Sequence, residues 1–530
     1  MPASAAKPSM TTDPGPVPSA RGSLVLAAVL ALFFAGLPYV LFGDFDLNLL
    51  DEGYLWYGVQ RVLAGEVPLR EFQAYDPGRY LWCAAFTPLF GSGLLGVRAS
   101  LALFQAGGLF LGALACRRGV RGSLGLALAT AILAAWMFPR HKLFEPALAL
   151  AALYVAVRMI EAPTQRMHLV AGAFTGLLAF FGRNHALYAA VSLGALGGYL
   201  AWKLRPPRLA RLALCFAAGV VLGSAPLWGM FLFVPGFAAA YLDSLRLNLL
   251  YGANLGLPYP WPWTVAWGNL AGLELFWTSA LAAAFLLPFV VLPLGAFVAL
   301  TSARADLPRR SLVLAATFVG AAWVHHVSVR SAVAHLAQCI QPLLILALAL
   351  PACFRWSSKG WPRVLAWCLV AGASALVTTQ ANPLLSQLGP NAQRDLVVHV
   401  VHGEELRLPT RLAEYLTALE AVVAERVPPE DTLFQAPAYA GIYALLEKPS
   451  PTWWLYFGWP ADEGEQLRTI DELERRGAGW ALIFNDTFLD NRTDLAFKNS
   501  NPLVWQYLKR NFQPVSEPRL PPGNLLLRRK

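Results

Sequence analysis

The sequence predicts an all-α polytopic membrane protein of about eleven crossings, followed by a small external α/β domain. Three observations carry this. Of the 530 residues, 56% are hydrophobic and only 14% are charged, against roughly 25% charged in an average soluble domain. The apolar residues fall in runs of roughly 20, the length that crosses about 30 Å of hydrocarbon. Lys and Arg occur in short clusters between these runs, so the net charge of +10 reads as membrane topology and not as a nucleic-acid surface. A soluble enzyme, a disordered scaffold and an outer-membrane barrel, whose strands alternate over about ten residues, are excluded.

Residues 1–22 are polar and rich in Pro, Ser and Ala, and are expected in the cytoplasm. The apolar run 23–42 is longer than a secretory h-region and reads as an uncleaved signal anchor. Basic clusters follow at Arg117, Arg118 and Arg121; Arg158 and Arg166; Lys203, Arg205, Arg208 and Arg211; Arg304, Arg309 and Arg310; and Arg355, Lys359 and Arg363. Placing these inside, with Lys7 and Arg21, requires crossings near 23–42, 97–116, 121–138, 144–160, 167–183, 186–203, 210–234, 271–300, 311–328, 333–354 and 362–380, with the C-terminus outside. Tyr80–Phe90 is short and contains Pro88, so it is expected as an interfacial or re-entrant helix. Reading it as a twelfth crossing would reverse every later loop.

The membrane domain then covers residues 23–380, with long external loops at 43–96 and 235–270, and residues 381–530 form the external domain. That tail alternates helical stretches (Arg411–Arg426, Asp462–Arg476, Pro502–Phe512) with strand-like runs (Thr432–Ala436, Trp480–Phe484), the order of a small α/β unit. No internal repeat is visible, which weighs against a secondary transporter. The six cysteines show no CxxC pair or metal-ligand spacing.

Ionisable groups at membrane depth are expensive, so a cluster of them at one face is a functional hypothesis. In this topology the external face collects Asp44, Asp46, Asp51, Glu52, Arg79, Arg140, His141, Lys142, Glu145, Arg183, His185, His325, His326, Arg330 and His335. Carboxylates serve as general bases, and Arg, Lys and His hold a phosphate or stabilise a departing one. Group transfer from a phosphate-linked donor suits this mixture.

The segment LLDEGYLWYGVQRVLAGEVPLREFQAYDPGRYLW, residues 49–82, resembles the first external loop of the GT-C superfamily of polyprenyl-phosphate-sugar transferases, in the protein O-mannosyltransferase and aminoarabinose transferase group. The likeness runs through Asp51-Glu52, Tyr54, Leu63, Gly65 and Pro68 to an Asp-Pro turn, where Asp76-Pro77-Gly78 replaces the family's usual double proline. PRHKLFEPALAL (139–150), GRNHALY (182–188) and HHVSVRSAVAHLAQCIQP (325–342) are similar to shorter family patterns. The resemblance implies an integral inner-membrane glycosyltransferase of the bacterial cell envelope. It would transfer a sugar, with inversion, from a polyprenyl-phosphate carrier to a lipid, glycan or protein acceptor on the periplasmic face. It implies Asp51, Glu52 and Glu145 as catalytic residues, with Asp51 as the base, and Arg183, His185, Arg330, His335, Arg79 and Lys142 as ligands of the lipid phosphate.

No cofactor is expected, a GxxxxGK[ST] nucleotide loop is lacking, and the metal requirement stays open. Plainer roles compete: acids favour helix N-termini, and Arg183 and His185 fit snorkelling toward headgroups. The rival functions are a transporter or lipid flippase, and a degenerate GT-C-like assembly subunit. TWWLYFGWP (452–460) is similar to the oligosaccharyltransferase WWDYG motif but carries Leu455 at the acidic position, and reads as packing aromatics.

Overall fold

A computed structural model describes residues 20–120, 122–252, 255–354, 360–389, 392–485 and 489–530. The N-terminal tail to residue 19, Arg121, Arg355 and Lys359 lie outside the described residues. Helix α1 (Ala20–Phe42) leads into α2 (Asp51–Leu63), α3 (Pro77–Ala85) and α4 (Thr87–Phe90) of the first loop. The bundle continues with α5 (Leu94–Cys116), α6 (Ser123–Ala135), α7 (Phe144–Glu161), α8 (Gln165–Phe181) and α9 (Arg183–Leu204). It is completed by α10 (Leu209–Gly223), α11 (Ala225–Phe233), α12 (Phe237–Tyr251), α13 (Gly272–Thr301), α14 (Ser311–Trp323), α15 (His325–Val329), α16 (Val333–Ala337), α17 (Gln341–Ala349) and α18 (Trp361–Ala381).

Helices occupy each of the expected crossing segments. Among the described residues six helices are long and apolar enough to cross a membrane, or seven if α10 and α11, bent by 48°, form one span. The protein is therefore a multi-pass helical membrane protein. The stretch Tyr80–Phe90 falls on α3 and α4, of nine and four residues, which rise about 20 Å together and cannot cross about 30 Å of hydrocarbon. The long loop 235–270 carries the 15-residue α12.

After α18 comes a hairpin of β1 (Leu396–Val401) and β2 (Glu404–Pro409), then α19 (Thr410–Arg426), β3 (Thr432–Ala436), α20 (Ala440–Leu445), α21 (Glu463–Arg475), β4 (Ala478–Phe484), α22 (Phe497–Ser500), α23 (Pro502–Asn511), β5 (Phe512–Val515) and β6 (Asn524–Arg529). The second sheet has the order β3-β4-β6-β5, with β3 and β4 parallel and the remaining pairs antiparallel. Leu416, Leu433 and Leu482 of this region belong to the same apolar core as Leu55 and Trp56 of α2 and Leu150 of α7. The C-terminal region is thus fused to the first loop through buried contacts. Gly53 of α2 lies against the backbone of Gly441 of α20, and the Gly441 amide donates to the Leu49 carbonyl (2.9 Å).

Helix α8, which delivers the chain to the turn at 182–185, is held by a glycine zipper. A Cβ at Gly172 would fall on the Phe216 carbonyl, at Gly176 on the Val220 carbonyl, at Gly219 on the Leu169 carbonyl and at Gly223 on the Ala173 carbonyl. Small residues four apart on both helices let the backbones meet, the usual route to tight packing where lipid supplies no hydrophobic drive. Gly176→Val is expected to lower stability by about 1–3 kcal/mol through overpacking, measured by thermal unfolding in nanodiscs, whereas Gly197→Ala, with open space around it, should leave stability within about 0.5 kcal/mol of the parent.

Candidate active site

Helix α2 begins with Asp51 and Glu52 in its first turn, where acids complement the helix dipole. Asn48 Oδ1 accepts from the Leu50 and Asp51 amides (2.9 Å each) and closes the helix start. Neighbouring residues on a helix point about 100° apart, and here that angle separates two fates. Glu52 turns into the protein and is taken by Arg98 of α5, with contacts of 2.6 and 2.9 Å, and by Arg140 at 3.4 Å. Burial raises the Glu52 pKa, but the Arg140 and Arg98 guanidiniums outweigh it and hold the carboxyl at about 2. Arg98 also donates to the Gly43 and Asp46 carbonyls (2.7 and 2.6 Å), and Arg140 to those of Phe42 and Phe45 (3.2 and 2.8 Å). Glu52, expected among the catalytic residues, is outside the cleft described below and ties the first loop to the bundle through Arg98 and Arg140.

Asp51 faces the other way. It lines a cleft of about 500 Å³ together with Arg79, Lys142, Glu145, Arg183, His185, Arg330 and His335. Every expected site residue except Glu52 therefore converges on one cavity. Its walls come from the first loop, the 3-10 turn Arg140–Lys142 before α7, the α8–α9 turn, α12, the α15–α16 corner and the C-terminal region.

The charges pair off in order. Arg79 donates to Glu145 (2.6 Å), with both side chains almost fully buried, and its Nε donates to the Phe181 carbonyl (2.7 Å). Arg183 pairs with Asp76 (2.7 Å) and donates to Ser244 Oγ (2.7 Å), while its backbone amide also donates to Asp76 (2.9 Å). Arg330 forms a two-pronged pair with Asp490 (2.5 and 2.8 Å), which lowers the Asp490 pKa. Two ions are left over. Lys142 makes no ion pair among the described residues, and its ammonium lies 3.8 Å from the centre of the Tyr75 ring. Among the described residues Asp51 makes no ion pair with an Arg or Lys; its nearest ionisable partner is His141, at 3.9 Å, and 42% of its side chain is exposed.

Beside these ions sits a histidine stack: the His185 and His326 ring centres are 6.1 Å apart, and those of His326 and His335 5.5 Å. His326 Nε2 is 3.0 Å from Gln338 Oε1. Glu145 Oε2, His185 Nδ1 and His335 Nδ1 are buried without hydrogen-bond partners, a costly condition that marks places where a ligand supplies the missing contacts. Among the described residues no group of three His, Cys, Asp or Glu side chains is placed to hold a metal ion.

Sequence reasoning missed part of the lining. Asp76 was visible only as a turn residue, and Asp490 lies 160 residues from the Arg330 it neutralises. Trp453, Trp454, Tyr456 and Trp459 form a wall of the cleft, although the segment reads as packing aromatics. They are pinned to the first loop by Gln73: its side-chain Oε1 accepts from the Leu455 and Tyr456 backbone amides (3.0 Å each), and its backbone amide donates to the Trp453 carbonyl (2.8 Å).

No family model and no curated protein matches the sequence. Solved structures do match. The structure of ArnT from Cupriavidus metallidurans bound to undecaprenyl phosphate aligns with a TM-score of 0.52 at 15% identity, over 96% of this chain and 98% of that chain. The chain has the ArnT fold. The apo form of ArnT (TM-score 0.48, 16% identity, 96% and 98% covered) and the Archaeoglobus fulgidus oligosaccharyltransferase in complex with Zn and sulfate (0.46, 12%, 95% and 74%) match more loosely. The fold expected from the first-loop resemblance is the fold observed.

Within this ArnT fold, Glu52 and Arg98 give a test of the anchoring role. Removing one partner of a buried pair costs about 3–5 kcal/mol, because a charge is stranded, whereas neutralising both costs far less. Arg98→Met is expected to destabilise by that amount, and Arg98→Met with Glu52→Gln to recover most of it, in thermal unfolding. A folded-state pKa below the unfolded value contributes stability that is complete above about pH 4.5 and is lost as pH falls toward 2. The stability gap between the parent and Glu52→Gln should therefore close over that window, and a gap unchanged down to pH 2 would refute the role.

Proposed function

We propose that this protein is a membrane glycosyltransferase that moves a sugar from a polyprenyl-phosphate carrier to an acceptor hydroxyl at the cleft. The observation that carries the reading is the charge pattern. Three arginines of the cleft are each held by a carboxylate, and a single carboxylate, Asp51, and a single ammonium, Lys142, remain uncommitted. Such a site can take one proton and one anion. ArnT, whose fold this chain shares, was solved with undecaprenyl phosphate, a ligand of the chemistry Lys142 fits.

In this mechanism Asp51 accepts the acceptor's hydroxyl proton as that oxygen attacks the anomeric carbon. The bond from that carbon to the phosphate oxygen breaks on the opposite side, its electron pair stays on the phosphate, and the configuration inverts. Lys142 faces the phosphate and offsets its growing charge. Arg79, His185 and His335 line the same end of the cleft, where the unpartnered nitrogens of the two histidines can reach phosphate oxygens. Glu145, with one free oxygen, positions sugar or acceptor. Arg183 and Arg330, engaged with Asp76 and Asp490, shape the walls.

The topology follows the same reading. The turns bearing Arg117–Arg118, Lys203–Arg208 and Arg304–Arg310 close the ends of α5, α9 and α13, and α5 and α9 begin beside the first loop and the cleft. With the basic turns in the cytoplasm, eleven crossings set the cleft and residues 381–530 outside, in the periplasm of a bacterial inner membrane.

Two measurements test this function and one tests its placement. Asp51→Asn should reduce transfer of labelled sugar from polyprenyl phosphate in nanodiscs by about 10²- to 10⁴-fold while donor binding persists; parental turnover would eliminate Asp51 as the base. Lys142→Met should weaken polyprenyl-phosphate binding by about 10- to 100-fold, the worth of a charge-assisted hydrogen bond, and more than Arg183→Met does. In a Cys368→Ser background, a thiol at Arg475→Cys should react with an impermeant reagent in cells whose outer membrane is permeabilised, and one at Arg208→Cys only after the inner membrane is opened; the reverse would invert the topology.

A further inference from the structure

The β1–β2 hairpin leaves one apolar face uncovered. Its register pairs Val398 with Arg407, Val400 with Glu405 and Leu396 with Pro409, and residues directly opposite one another share a face. The other face carries Leu406 and Leu408, fully buried, and Val401 at 1% exposure, in the core shared with Leu416 and Leu419 of α19. On the first face Val398 is 61% exposed and Val400 55%. Among the described residues β1 also has no partner on its outer edge, and Leu396–Val401 contains no Pro, Lys or Gly, the residues that commonly protect an edge strand. In water such a segment is an association hazard.

The register also shows which way this face looks. Arg407, cross-strand neighbour of Val398, donates to the carbonyl of Leu41 (2.7 Å) and forms a two-pronged pair with Asp44. Its backbone exchanges hydrogen bonds with Asp44 and Asp46 (2.9 Å each). Leu41 belongs to the last turn of α1, a membrane span whose end exposes Val40 (78%) and Leu41 (44%). The apolar surface of the span therefore continues, at the point where α1 leaves the bilayer, onto the face that carries Val398 and Val400.

We propose that this face of the hairpin rests on the bilayer surface, with Val398 and Val400 at the boundary of headgroups and acyl chains. The unpaired β1 edge sets the depth: its backbone groups need water or headgroup partners and cannot enter hydrocarbon. Glu405, exposed at the turn end of the same face, keeps that end among the headgroups. The contact has a structural consequence, because Glu404 accepts from the Leu95 amide (3.0 Å) at the start of α5. One hairpin thus ties the ends of α1 and α5, the C-terminal region and the lipid surface to a common height.

The test uses the full chain in nanodiscs of phosphatidylglycerol and phosphatidylcholine, in a Cys368→Ser background, with a nitroxide attached at Val398→Cys, Val400→Cys or, as a control, Arg475→Cys. Power saturation should show the labels at 398 and 400 colliding more with oxygen than with a water-soluble nickel chelate, and the label at 475 the reverse. Leu396→Cys on the same face supplies the reading if either valine variant fails to fold. Nickel accessibility at 398 and 400 equal to that at 475 would overturn the proposal, as would dipolar coupling between labels on two copies, which would place a second chain on this face.

Discussion

The buried carboxylate of Glu52 is the constraint around which the first loop is arranged. It draws Arg98 from α5 and Arg140 from the turn before α7, and these two guanidiniums in turn hold four carbonyls of the 42–46 segment. A charge taken this far out of water persists only with partners on every side. Once Glu52 is fixed inward, the pitch of α2 leaves Asp51 no choice but the cleft, and the next two residues after Arg140, His141 and Lys142, are delivered to Asp51 and to the Tyr75 ring. The placement of Asp51 and Lys142 at the cleft is thus a by-product of anchoring the loop.

The rest of the cleft is arranged to spend cations sparingly. Under the proposed function, a site that binds a lipid phosphate and releases it again cannot leave every arginine unpaired, since it would hold the product as tightly as the donor. Asp76, Glu145 and Asp490 each neutralise one arginine, and the remaining ammonium stands over an aromatic face, where it stays accessible to a phosphate oxygen. The aromatic residues from Trp453 to Trp459 form part of the cleft wall and are held to the first loop by Gln73, so loop and C-terminal region form one enclosure.

Much of this was legible in the residues. Runs of apolar residues and basic punctuation outlined the helices to within a few positions; Asp462–Arg476 matches α21 closely because its period-3.6 pattern is strong, and Thr432–Ala436 matches β3 as a short apolar run bounded by turn residues. The acid pair at 51–52 marked the site, but pairing alone carries no phase: which acid faces inward depends on Arg98, which lies near the start of an apolar run and names no partner. Arg183 illustrates the same limit. Its place beside the cleft was readable, whereas its neutralisation by Asp76, 107 residues earlier, is a tertiary fact. The hairpin at 396–409 could have been found, since Leu396–Val401 is rich in β-branched residues and is followed by His402-Gly403, both at positive φ. It was obscured because β1 carries apolar residues on both of its faces, which breaks the alternation.

The account turns on where the donor phosphate binds. A cryo-EM structure of the protein in nanodiscs with polyprenyl phosphate would settle it. The account predicts the phosphate within hydrogen-bonding distance of Lys142 Nζ, on the same side of the cleft as Asp51, with the Arg183–Asp76 and Arg330–Asp490 pairs intact. A phosphate bound by Arg183 or Arg330 with those pairs broken, and Lys142 left on the Tyr75 ring, would contradict it.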